Sequence, residues 1–233
     1  MRNFYLPLAA ALLLSSAAGA QPSGRNMAKL LYQGHGSYRI ISAKGLVIYV
    51  DPYAGKGYDI PADFILVTHE HPDHNKVGIV AKEAGCRIYR AKQFLSGGKY
   101  GEAMFNGIRV QAVPAYNENH KASECVGYLI TLENNITIYC AGDTSRTEYM
   151  KKELPALHID YALLPCDGVY NMDVEEAAKC ADIIGASCSI PVHTKPGSLF
   201  SPQVAARFDT ASALILHPGE EIDLKKSENV REN

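Results

Sequence analysis

The chain has 233 residues, enough for one domain with its own core and too few for two ordinary ones. Hydrophobic residues make up 47% and charged residues 21%, a balance that excludes a disordered chain. Lys plus Arg number 23 against 25 Asp plus Glu, and no basic stripe is present to track a phosphate backbone, so nucleic acid is not an expected partner.

The first segment differs from the rest. Arg2 lies in a short basic start, Leu6–Ala18 is an apolar run, and Ala18-Gly19-Ala20 precedes Gln21. This is the pattern of a secretory signal peptide over residues 1–20, with a mature chain of one domain over 21–233. The run is shorter than the roughly 20 apolar residues that span a bilayer, so no membrane anchor is expected after processing. The protein is expected to be secreted or periplasmic. Six cysteines follow, an even count that leaves one disulfide open; several sit in apolar runs and none forms C-x-x-C, so buried free thiols are expected.

Short strands come next. Lys29–Gln33, Ser37–Ser42 and Leu46–Val50 are rich in Ile, Val, Leu and Tyr and broken by glycines. Phe64–Val67 is continuously apolar, the mark of a strand buried on both faces. Asn75–Ala84 reads as a helix closed by Gly85. Ile108–Val113 follows an Asn-Gly turn, and Tyr128–Leu132 and Ile136–Cys140 flank a turn at Glu133-Asn134-Asn135. Thr147–Leu154 reads as helical and Tyr161–Leu164 as a buried strand. Asp173 is placed to cap a helix that runs to Gly185, with Glu176 at its third position. Ser187–Val192 and Ala213–Leu216 read as the last strands, and Lys225–Asn233 as a loose polar tail. Strands followed by strand–helix units, twice over, suggest two similar halves, with Phe64–Thr68 corresponding to Tyr161–Pro165. The expected architecture is α/β, an αββα sandwich of two mixed β-sheets packed face to face with helices on the outer faces.

Thr68-His69-Glu70-His71-Pro72-Asp73-His74 carries the chemistry. Three imidazoles and a carboxylate in six residues are costly to bury unpaired, and they sit on a loop between a buried strand and the next element. With the chain extended, His69 and His71 turn toward one ion, and Asp73 and His74 reach a second. Elsewhere, Gly142-Asp143 alone reads as a turn after a strand, and His193 alone as an ordinary histidine.

The H-x-H-x-D-H stretch resembles the signature of the metallo-β-lactamase superfamily. Ala141-Gly142-Asp143-Thr144 then resembles the motif whose carboxylate bridges two metals, and Pro191-Val192-His193-Thr194 the motif of the late histidine ligand. The resemblance implies His69 and His71 at one ion, Asp73, His74 and His193 at the other, and Asp143 between them. Gly34-His35-Gly36-Ser37 is similar to the branch that includes ascorbate-phosphate lactonases and phospholipase-D-like acylethanolamine hydrolases. One departure stands out. The middle histidine of the family falls in Val113–His120, where His120 fills the place or Tyr116 or Asn117 replaces it.

The resemblance implies a hydrolase with one or two divalent ions, zinc first, with iron or manganese also suited to imidazole and carboxylate. Such an ion lowers the pKa of water to about 7 and makes hydroxide available near neutral pH. Asp73 is the candidate catalytic residue. A small-molecule ester, lactone or phosphodiester is the expected substrate, with Tyr170 and Lys195 as candidate contacts for an anionic group. The alternative is a metal-binding or sensing protein whose catalysis has decayed at the middle motif. Oligomeric state is not legible.

Overall fold

In a computed structural model of the protein, residues 27–227 are described. The expected signal peptide lies outside them, as does the tail from residue 228.

The first sheet is built from β1 (Ala28–Gly34), β2 (Ser37–Ile41), β3 (Val47–Val50), β4 (Ala62–Val67) and β5 (Lys82–Arg90). After β5 come a one-turn helix, α1 (Ala91–Phe94), and a small hairpin of β6 (Leu95–Ser96) and β7 (Lys99–Tyr100). The second sheet holds β8 (Glu102–Phe105), β9 (Ile108–Pro114), β10 (Val126–Thr131), β11 (Thr137–Cys140), β12 (Tyr161–Pro165) and β13 (Cys188–Val192). β14 (Glu221–Leu224) returns to pair antiparallel with β1. The spatial orders are 14-1-2-3-4-5 and 13-12-11-10-9-8. In each sheet an antiparallel run passes into three parallel strands, β3-β4-β5 and β11-β12-β13. β4 and β12 are the central parallel strands, so the two halves correspond as the sequence suggested.

Alternation along the strands sorts the core into layers. Ile48, Val50, Phe64 and Leu66 face Ile138, Cys140, Leu163 and Ile190 between the sheets. Each such buried side chain contributes about 1.5–3 kcal/mol relative to exposure. Tyr139, Ala162 and Leu164 point outward from the second sheet onto α2 (Glu148–Lys152) and α3 (Val174–Ile184). Val174, Ala177, Ala178, Ala181 and Ile184 are the buried face of α3, at helical spacing. Asp173 caps it by accepting from Glu176 N at 2.7 Å, and Gly185 ends it in the left-handed conformation. Glu176 does not complete a capping box; its carboxylate accepts from Arg146 N instead.

The outer face of the first sheet is different. Tyr49, Ile65 and Val67 pack on Tyr58 and Val80 from a loop and a 3-10 turn, Val77–Ile79. The helix expected over Asn75–Ala84 is therefore corrected to this turn plus the start of β5. Gly78 and three β-branched neighbours make poor helix, and Gly85 is an irregularity within the strand, at φ 94°, rather than a helix stop. The helix read over Thr147–Leu154 ends at Lys152, because Pro155 diverts the chain into a 3-10 turn, Leu154–Leu157. Ala213–Leu216 is not a strand but a single bridge from Ala213 to Ser189. The tail is pinned as far as it is described: buried Asp160 accepts from Lys226 Nζ and Ser227 N. All six cysteines are free. Among the described residues no helix is long and apolar enough to cross a membrane.

Candidate metal centre

The C-terminal ends of the parallel strands meet at one rim of the sandwich. β3 delivers Asp51, β4 the loop from Thr68 to His74, β11 Asp143, β12 Asp167 and β13 His193. His35 arrives from the β1–β2 turn, and His120 from the loop before β10. Three of these residues hold left-handed backbone, His35 at φ 56°, Asp51 at 45° and His193 at 47°. Such strain costs of order 1–3 kcal/mol at a non-glycine residue and clusters at functional sites. Gly36 has no alternative, since a Cβ there would stand 2.8 Å from His74 Cε1.

The imidazoles share one design, in which Nδ1 is held from behind and Nε2 is left to face the centre. Thr68 Oγ1 donates to Asp51 Oδ2 at 2.6 Å, so His69 Nδ1, 3.0 Å away, donates to the hydroxyl oxygen. His74 Nδ1 donates to the same Asp51 Oδ2 at 2.9 Å. His120 Nδ1 donates to Asn117 Oδ1 at 2.9 Å. His193 Nδ1 lies 2.9 Å from Asp167 Oδ2, off the hydrogen-bond axis. These acceptors fix tautomer and ring orientation, as outer partners of metal-binding histidines do.

Asp143, buried, is the centre of the arrangement. Its Oδ1 lies 3.2 Å from His74 Nε2, and its Oδ2 lies 3.4 Å from both His120 Nε2 and His193 Nε2. The donor atoms fall into overlapping groups, each within 4.8 Å: His69, His71 and His120; His35, Asp73, His74 and His193; and His69, His74 and Asp143. All seven residues expected to act at the site are thus brought together, and His35 joins them. Of the three candidates for the middle position, His120 is the one whose ring lies in a donor group, with His69 and His71. Asn117 stands behind it as its acceptor, and Tyr116 is in none of the donor groups.

The electrostatics divide the histidines. Burial, with His74 nearby, pushes His69 well below the usual imidazole range, and burial also lowers His120. At His74 burial is outweighed by Asp143 and Asp51, which raise it well above that range. At His193 burial is likewise overcome, by Asp143, Asp167 and Asp73, to about 9. Burial opposes ionisation of Asp73, but His193 and His35 hold its carboxyl far below the usual carboxylate range. Asp143 is held low against burial by His74 and His193.

These residues fit a divalent cation. His69 Nε2 is buried without a hydrogen-bond partner, which costs about 1–3 kcal/mol unless a cation supplies one. The buried Nε2 atoms of His74 and His193 make no well-aligned hydrogen bond and face carboxylate oxygens. A cavity of about 270 Å³ opens beside them, lined by His71, Pro72, Asp73, Asn119, His120, Asp143, Tyr170 and His193. Tyr170 is held at its rim by Asp167, whose Oδ1 accepts from Tyr170 N at 2.7 Å, and by Asn117, which donates to Tyr170 O. Lys195 is exposed and does not line this cavity. Asp51, Thr68, Asp167 and the orienting role of Asn117 were not found from sequence; Asp51, between a buried strand and Pro52, was the one with a local signal.

The model of the beta-lactamase superfamily domain matches residues 29–193. The UPF0173 metal-dependent hydrolase of Pyrococcus horikoshii is 32% identical over 232 residues, covering 85% of this chain and all of the relative. Its counterpart in Thermococcus onnurineus is 30% identical over 231 residues, with the same coverage. The solved structure of a metallo hydrolase from the hyperthermophilic archaeon Ignicoccus hospitalis superposes with a TM-score of 0.69 at 21% identity, covering 85% of this chain and 99% of that one. That last likeness is one of fold.

Proposed function

We propose, from the fact that the chain belongs to the metallo-β-lactamase superfamily and within it to the UPF0173 metal-dependent hydrolases, that it hydrolyses a small ester or lactone in the cavity beneath Tyr170. His69, His71 and His120 would hold one divalent ion, Asp73, His74 and His193 another, with Asp143 shared between them. When bound, such ions supply a water of pKa about 7 and a Lewis acid for the developing negative charge.

The observation that carries this reading is the set of buried Nε2 atoms around Asp143, on rings whose Nδ1 is hydrogen-bonded from behind at His69 and His74 and lies 2.9 Å from the Asp167 carboxylate at His193. Sites of this kind are pre-organised, and little rearrangement is needed at the moment of reaction. Asp73, part-exposed at the cavity with its carboxyl held far below the usual range, stays ionised and is the chain's own acceptor for orienting a water there. Tyr170 offers an aromatic wall and Asn119 an amide. No Lys or Arg lines the cavity, which favours uncharged acyl groups and lactone rings over phosphodiesters. Occupation of the middle position by His120 weighs against a decayed site.

The test is turnover of metal-loaded protein on a panel of carboxylic esters, lactones and phosphodiesters. Activity on the first two classes, lost in Asp143→Ala, is expected. A panel without turnover in fully loaded protein would leave the binding reading in its place, and phosphodiester activity alone would overturn the substrate class. Zinc is the ion of this reading; iron or manganese in native protein would replace it. Export rests on the Arg2 start, the Leu/Ala run and Ala18-Gly19-Ala20, and predicts a native N-terminus at Gln21 outside the cytoplasm. An intact Met1 by mass spectrometry would contradict it.

A further inference from the structure

His35 lies outside the H-x-H-x-D-H signature, yet both its backbone and its ring are held. It is fully buried in a left-handed turn between Gly34 and Gly36. Its backbone N–H donates to Leu199 O at 2.6 Å, and its carbonyl accepts from His193 N at 2.8 Å and from Tyr32 OH at 3.0 Å. The ring is fixed as well. Nδ1 lies 3.0 Å from the Ser198 carbonyl, which can only accept, so the proton of the neutral ring is on Nδ1. Nε2 faces Asp73 Oδ2, also 3.0 Å away and also an acceptor. Either a second ring proton, as in the ion pair through which His35 holds Asp73 low, or a metal ion in that proton's place closes this contact. Close by, the His193 ring stands 3.6 Å from the His35 ring, centroid to centroid, and the donor atoms of His35, Asp73, His74 and His193 all lie within 4.8 Å of one another. Donor atoms around a tetrahedral zinc ion stand about 3.4 Å apart, so a contraction of at most about 1.4 Å seats an ion among them.

We propose that His35 is a protein ligand of the buried metal position, through Nε2. The inference rests on the reading of this site as a metal centre. With His35, that position has four protein donors besides the shared Asp143, three imidazoles and the Asp73 carboxylate, against three besides Asp143 at the other. Catalytic zinc sites hold fewer protein ligands than closed structural ones and leave a place for substrate. The three-histidine position, with fewer donors and exposed His71 on the cavity, is therefore the one that takes the substrate. The buried ion anchors Asp143 and Asp73 and is the last to leave.

Cobalt(II) tests this without reference to turnover. Metal-free full-length protein is given one equivalent of cobalt, and exchangeable ring N–H signals shifted by the paramagnetic ion are counted by proton NMR. Three are expected, from His35, His74 and His193, since each holds Nδ1–H away from the ion. His35→Asn tolerates the left-handed backbone and keeps a side-chain donor within reach of the Ser198 carbonyl, while deleting Nε2. It should show two signals and bind the first cobalt about 100-fold more weakly. Two signals in the wild type, or equal counts in both proteins, would overturn the proposal and leave His35 as an ion-pair partner of Asp73. If the variant does not fold, the wild-type count decides alone. Failure of the metal-centre reading looks different: no shifted signal and no saturable cobalt binding in the wild type.

Discussion

The two donor groups on either side of Asp143 are built from the same residue type and behave oppositely. His69, His71 and His120 form a group without a carboxylate of its own, and burial keeps His69 and His120 below the usual imidazole range. His74 and His193 stand among Asp51, Asp73, Asp143 and Asp167, which drive both above it. Imidazole number therefore does not distinguish the positions; carboxylate surroundings do. The first group has no carboxylate of its own, reaches the solvent through His71 and is served by an amide, Asn117. The second is charged, buried and gripped by carboxylates.

Removing what the groups share should have the largest effect. Asp143→Asn keeps the shape and deletes the charge that both face. Both binding events should weaken by more than about 100-fold, above the 10–100-fold typical of outer partners, and hydrolysis should vanish. Calorimetry of the metal-free protein checks this; one unchanged event would mean that Asp143 serves a single ion.

The next test separates the groups. His120→Ala should weaken the exposed position about 100-fold and leave the buried one untouched, while Asn117→Ala, which only frees the His120 ring, should cost about 10-fold at the same position. Asp167→Asn is the mirror experiment, with a loss of about 10-fold confined to the buried position. An equal loss at both positions in any of the three would break the division into two groups.

How much of this division was legible beforehand depends on where each residue's meaning resides. His69, His71, Asp73 and His74 declared themselves because four costly groups crowd one loop after an apolar run. Phe64–Val67 and Tyr161–Leu164 were read as buried strands because their apolarity is continuous, and the correspondence of the halves followed from them. Asp143 and His193 had meaning only in that company. Asp51 and Asp167 were not read, and Asn117 was read only as a possible ligand, for a physical reason, since Asp and Asn after strands are what any turn uses. Only the fold brings them behind rings up to 26 residues away, as with Asp167 and His193. The misread segment, Asn75–Ala84, failed on the same ground. Gly85 marks a helix stop and a strand irregularity equally well, and pairing of Phe64 with Arg87 decides between them.

The smallest effect is also the most discriminating, because it reads the charge difference directly. A ligand nitrogen must be free of its proton before a cation can take it. In the metal-free protein His193 titrates at about 9 and His74 is raised well above the usual range, so at pH 7.5 both carry protons that the buried ion must displace. His69 and His120 are lowered and carry none to displace there. Calorimetric titration in buffers of different ionisation enthalpy should then show the tight event releasing two protons at pH 7.5, and the weaker event none from His69 or His120. The tight affinity should fall with pH, about tenfold per unit for each proton displaced. The same shift has a stability counterpart with a definite sign. Because the folded pKa of His193 lies above 6.5, its protonation stabilises the metal-free fold fully below pH 6.5, and that contribution is lost as pH rises through about 9. Metal-free protein should lose melting temperature over that interval while the loaded protein does not, since the ion has replaced the proton. Equal proton release in both events would mean that the carboxylates do not divide the two groups as their placement implies.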